Sequence, residues 1–125
     1  MKSHAKRFVS EYPNTKIVRV SKALFPWSEP NECWQNAQHY KSVFNAKMVA
    51  GWVVMDGSQS NQPVKPKYFA VRHFWNKLNG RYVDSTPLVG TNNYTYVLNK
   101  AFTEGDDWIT LNTEHVRYNY ENLTD

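Results

Sequence analysis

The run KYFAVRHFWNKLNGRYVDSTP, residues 67–87, constrains the fold more than any other part of this chain. It is dense in β-branched and aromatic residues, and Asn79-Gly80 interrupts it. That dipeptide accepts the positive φ angles of a tight hairpin turn, so the run predicts two antiparallel strands. If Asn79 and Gly80 alone form the turn, Leu78 pairs with Arg81 and His73 lies opposite Thr86, with Asp84 as its diagonal neighbour on the same face. A four-residue loop, Lys77 to Gly80, would put His73 directly opposite Asp84. Either even-length loop leaves imidazole and carboxylate on one face, roughly 5–8 Å apart at Cβ. A three-residue loop would separate them unless a bulge restored the face. The hairpin alone can therefore build a carboxylate-oriented histidine.

Further strands are expected in KIVRVSKALF (16–25), MVAGWVVM (48–55), YTYVLNKAF (94–102) and DWITLNTEHVRYNY (107–120), with the polar stretch DGSQSNQPVKP as a loop after the second of these. Two helices precede most of this material. Ser3 to Tyr12 predicts a short one with Ala5, Phe8 and Val9 on one side, ending at Pro13. After the proline-punctuated PWSEPNE, Cys33, Ala37, Tyr40 and Phe44 recur at spacings of four, three and four, which predicts a helix from about Asn31 to Asn45. Ser28 or Asn31 is its expected N-cap. The expected fold class is α+β, in one compact domain over residues 1–125, with the second helix packed on an antiparallel sheet of four or more strands.

Cys33 is the only cysteine in the chain. One cysteine cannot form an internal disulfide or a cysteine-based structural zinc site, and no metal or cofactor is expected. A lone cysteine on an apolar helix stripe is commonly a small core residue. Its place in the first turn, however, puts the thiol within reach of unpaired N–H groups and the positive end of the helix dipole, which favour a thiolate. A nearby imidazolium would favour it further. A histidine shuttles protons only when its tautomer is held, and a carboxylate holds it. Cys33, His73 and Asp84 supply these three parts, with Asn76 as an alternative orienter. The bland readings are a strand histidine bonded to a carbonyl and an Asp84 that closes the turn before Pro87. His4, His39 and His115 are expected at the surface. Trp34, Trp52 and Trp75 are expected to flank the site.

The 15 Lys and Arg against 11 Asp and Glu give a net charge of +4, but the charges are scattered, so nucleic acid is not implied. No apolar run approaches a membrane span or a signal peptide, and the expected setting is cytoplasmic. The oligomeric state is not determined by these features. Asn93-Tyr94-Thr95 and Asn122-Leu123-Thr124 match glycosylation acceptors, which have no role without a secretory route.

ECWQNA resembles the Cys-Trp-x-x-Ala signature that opens the active-site helix of papain-like and transglutaminase-like cysteine enzymes. RHFWNKLNGRYVDSTP is similar to the transglutaminase-core pattern of His-x-Trp, a turn and Val-Asp-x-Thr, and Gly51-Trp52 matches a glycine followed by an aromatic on the preceding strand. The resemblance spans Glu32 to Pro87. It implies a papain-like fold and a Cys33-His73-Asp84 triad in a hydrolase or acyl transferase (peptidase, deamidase or transamidase) acting on a protein or peptide-like amide. The chain departs from the papain-like pattern in having no Gln just upstream of Cys33, which leaves the Cys33 N–H with Trp27 or Gln35 as oxyanion donors. The alternative is a non-catalytic domain that binds a protein or nucleic acid through its basic, aromatic surface.

Overall fold

A computed structural model of the chain describes residues 3–56, 68–87 and 94–103. It is α+β: helix α1 (Ser3–Glu11), strands β1 (Thr15–Val18) and β2 (Val20–Lys22), helix α2 (Cys33–Phe44), and strands β3 (Lys47–Asp56), β4 (Tyr68–Leu78), β5 (Arg81–Asp84) and β6 (Tyr94–Asn99). The six strands form one sheet in the order β1-β6-β3-β4-β5-β2. The strand candidate at 107–120, His115, Asn93, Asn122 and nearly all of the loop at 56–66 lie outside the described residues.

Two expectations are corrected. KIVRVSKALF is not one strand: Arg19 divides it into β1 and β2, which pair at opposite edges of the sheet. Both edges therefore meet at Arg19, and the sheet must curl to bring them together. Nor is the sheet wholly antiparallel, since β2 pairs with β5 in parallel, Lys22 against Asp84. Parity gives the reason. Directions alternate from β1 through β6, β3 and β4 to β5, so β5 runs the same way as β1. The chain continues through Arg19 in that direction and meets β5 in parallel.

The pleat sorts side chains onto two faces. Val53, Trp75 and Tyr96 fill the inside of the curl, with Val18, Val20, Val49, Met55, Tyr82 and Leu98 around them, so every strand contributes. The outside carries the helices. Phe8 of α1 is fully buried among Trp52, Val54, Ala70 and Val97. Ala37 of α2 packs on Met48, Ala50 and Phe74. Of the expected α2 stripe, Ala37 and Tyr40 are buried, while Phe44 is 39% exposed because the helix ends there at Asn45, whose φ of 55° is left-handed. Asn76, fully buried, donates from Nδ2 to the carbonyls of Ala37 (3.0 Å) and Lys47 (3.1 Å), fixing α2 to the sheet.

Candidate active site

The hairpin turns through two residues. Leu78 pairs with Arg81, and Asn79 and Gly80 have φ values of 51° and 79°, the paired positive angles that match the twist of the strands. The β4–β5 ladder extends only to Asn76 and Val83, so Thr86 forms no ladder pair with His73. The diagonal neighbour is the one that matters: His73 Nε2 lies 2.8 Å from Asp84 Oδ2, and both side chains are buried on the inner face. Because β5 is short and β4 long, no strand among the described residues pairs with the β4 edge beyond Asn76. The first turn of α2 meets that edge.

Cys33 is the first residue of α2 and is half-buried. The N-cap is neither Ser28 nor Asn31 but Glu32, which makes no side-chain capping bond; its carbonyl accepts the first helical bond, from the Asn36 N–H at 2.9 Å. Ser28 is occupied closing a turn with Phe25, and Asn31 takes a left-handed φ of 62° that redirects the chain after Pro30. Asn36 replaces a cap by other means. Its amide exchanges two hydrogen bonds with the backbone of Glu29 (3.1 and 2.8 Å) and donates to Thr86 Oγ1 at 2.9 Å, tying the entry loop, the helix and the chain after β5 to one another. Nothing in the spacing of the sequence distinguishes Asn36 from an ordinary helix residue.

The thiol of Cys33 is hydrogen-bonded to His73 and receives the backbone N–H of Phe74. With Nε2 committed to Asp84, Nδ1 is the ring nitrogen left for sulfur. Burial pushes the thiol up, but the hydrogen bond and charge of His73, with the Phe74 N–H, bring it below its ordinary value. Burial alone would lower His73; the charge of Asp84 and its hydrogen bond, with a contribution from Cys33, raise it to about 10. Burial would raise Asp84; His73, then Lys22 and Tyr96, hold it at about 2. The three shifts run in the same direction, each favouring the charged form: thiolate, imidazolium and carboxylate.

Two residues at Asp84 have no signal in the sequence. Lys22 Nζ lies 3.1 Å from Asp84 Oδ2 and also donates to the Thr86 carbonyl. The Tyr96 hydroxyl donates to the same Oδ2 at 2.5 Å. Asp84 Oδ1 accepts the Thr86 N–H at 3.0 Å, so Asp84 orients His73 and also closes the turn before Pro87. Asn76, committed to carbonyls on the outer side, does not orient the histidine.

The tryptophans divide. Trp75 stacks near His73 at 6.0 Å but is fully buried, so it is a wall behind the ring. Trp52 is on the opposite face against Phe8, at 5.3 Å between centroids, and does not flank the site. Trp34 packs with Cys33 beside Ala37. His39 is exposed and stacks on Trp27 at 4.1 Å. Trp27 and Gln35 both line a cavity of about 430 Å³ at the start of α2, with Glu29, Glu32, Asn36 and His39. Among the described residues no group of three or more His, Cys, Asp and Glu is placed to hold a metal, and no helix is long and apolar enough to cross a membrane.

No family model matches the chain, and no curated protein and no solved structure matches it significantly. What the site does follows from its own atoms.

Proposed function

We propose that this chain is a papain-like cysteine hydrolase or acyl transferase acting on an amide or isopeptide bond of a protein or peptide-like substrate. The observation that carries the reading is the continuous chain of contacts from the Cys33 sulfur through the His73 ring to the buried carboxylate of Asp84. In the proposed reaction the Cys33 thiolate attacks the carbonyl carbon, and its sulfur–carbon bond forms as the carbonyl electrons move to oxygen. The Cys33 N–H, with Trp27 or Gln35 from the adjoining cavity, faces that oxygen. Collapse expels the amine, which takes its proton from the His73 imidazolium and leaves a thioester. His73, now neutral, removes a proton from water or from an acceptor amine, which attacks the thioester and releases Cys33. Water makes the enzyme a peptidase or deamidase; an amine makes it a transamidase.

A binding role has one observation in its favour. A cavity of about 410 Å³ at the hairpin end of the sheet is lined by Lys47, Lys77 and Lys100 together with Tyr82 and Phe102, a basic and aromatic surface that does not include Cys33.

Thiol reactivity separates the two. The enzyme reading expects iodoacetamide to alkylate Cys33 rapidly below neutral pH, and an active ester to leave an acyl adduct, seen by intact mass, that Cys33→Ala does not form. Labelling that proceeds only as fast as the protein unfolds would overturn it.

A further inference from the structure

We infer that Lys22 and Tyr96 are positioning residues of this site, together holding Asp84 in one orientation and setting the charge against which Cys33 and His73 titrate. The inference rests on the Cys33-His73-Asp84 reading but uses contacts that reading does not require. To orient a histidine, a carboxylate needs one hydrogen bond. Asp84 has no exposed surface, and its oxygens meet donors from four parts of the fold: His73 of β4, Tyr96 of β6, Lys22 of β2 and the Thr86 N–H after β5. The thiol of Cys33, from α2, lies beyond the imidazole.

Lys22 is the unexpected member. It ends a three-residue edge strand, where lysine ordinarily points to water. Its side chain, 31% exposed, keeps part of its length in water while the ammonium reaches Asp84 and donates to the Thr86 carbonyl. Thiolate and imidazolium cancel, so Lys22 cancels Asp84 and leaves the whole group neutral. Without that ammonium the group carries one buried negative charge. A negative charge opposes loss of the thiol proton and retains the imidazolium proton, so both titration steps move to higher pH. Tyr96 differs because it is neutral. Its donation draws on the charge Asp84 presents to His73, and losing it strengthens chiefly the hold on the imidazolium, which touches Asp84, and less the proton on the more distant thiol. Its ring, 6.0 Å from His73 and 5.2 Å from Trp75, also walls the site on the β6 side.

The test is the pH dependence of iodoacetamide labelling of the full chain in wild type, Lys22→Gln, Lys22→Arg and Tyr96→Phe, with melting temperature measured alongside. Glutamine can still donate to Asp84 and Thr86 but lacks the charge. Lys22→Gln is expected to raise both inflections by about one pH unit, a roughly tenfold slower labelling on the rising limb. Lys22→Arg restores the wild-type positions, and Tyr96→Phe raises chiefly the upper inflection. A folded Lys22→Gln with unmoved inflections overturns the inference, whatever its melting temperature, because a merely structural lysine changes stability without moving them. Should Lys22→Gln fail to fold, a displaced lower inflection in Lys22→Arg or an unmoved upper one in Tyr96→Phe overturns it. Slow, unfolding-limited labelling of wild type defeats the enzyme reading and this inference together. Fast labelling of wild type with no response to Lys22→Gln defeats the inference alone.

Discussion

Asp84 presents acceptors in every direction, and this decides what its amide would do. Oδ2 faces His73, Tyr96 and Lys22, and Oδ1 faces the Thr86 N–H. Whichever way an asparagine is turned, its NH₂ group points at another donor. Asp84→Asn is therefore expected to cost about 1–3 kcal/mol of stability while keeping the fold. It should also slow low-pH labelling of Cys33 by tenfold or more, since an amide neither stabilises the imidazolium nor holds its tautomer. Labelling across pH 4–9 is the measurement, and a profile identical to wild type would reduce Asp84 to a turn residue. The pairing of His73 with Asp84 was legible in the sequence, because a two-residue turn and a period of two determine which side chains share a face. The fourfold occupation of Asp84 was not, because its other donors come from strands whose positions the hairpin does not encode.

At the scale of elements, Gly51 shows what a strand gives up to make room. It stands opposite His73 on β3, and a Cβ there would lie 2.0 Å from the Val97 carbonyl oxygen, 2.8 Å from the Trp75 ring and 3.0 Å from Leu98 Cα. Two of these are backbone atoms of the paired strand β6, so relief requires the β3–β6 ladder to move. Gly51→Ala should cost more than about 3 kcal/mol, read as a lowered urea midpoint, and a midpoint near wild type would mean that the ladder yields easily. The start of α2 is a contrasting case. Periodicity located the helix and put Cys33 in its first turn, but capping propensity pointed to Ser28 or Asn31. The structure uses Glu32 and the long reach of Asn36 instead, a tertiary arrangement overriding a local preference.

For the whole molecule, the buried carboxylate couples stability to pH. Asp84 is held at about 2, below the ordinary carboxylate value of 3.8, so its contribution is present above the unfolded value and is lost as pH falls from about 4 through 2. His73, raised to about 10, is protonated in both folded and unfolded chains over that window and adds no slope. Urea midpoints should therefore fall more steeply between pH 4 and 2 in wild type than in Asp84→Asn. Parallel slopes would show that Asp84 is not ionised in the native state.

Read alone, the residues gave the α+β class, a hairpin turning at Asn79-Gly80, a shared face for His73 and Asp84 at either even loop length, and Cys33 in the first turn of a helix; the two-residue register itself comes from the structure. Each depends on backbone geometry between near neighbours, where turn chemistry and side-chain period suffice. Packing of the whole chain set the rest: KIVRVSKALF splits at Arg19, β2 meets β5 in parallel, and Lys22 and Asn36 reach the chain around Asp84 and Thr86 across separations of 62 and 50 residues. Such contacts form because the sheet curls until both of its edges meet. Curl is a property of six strands packing together, which no single segment specifies.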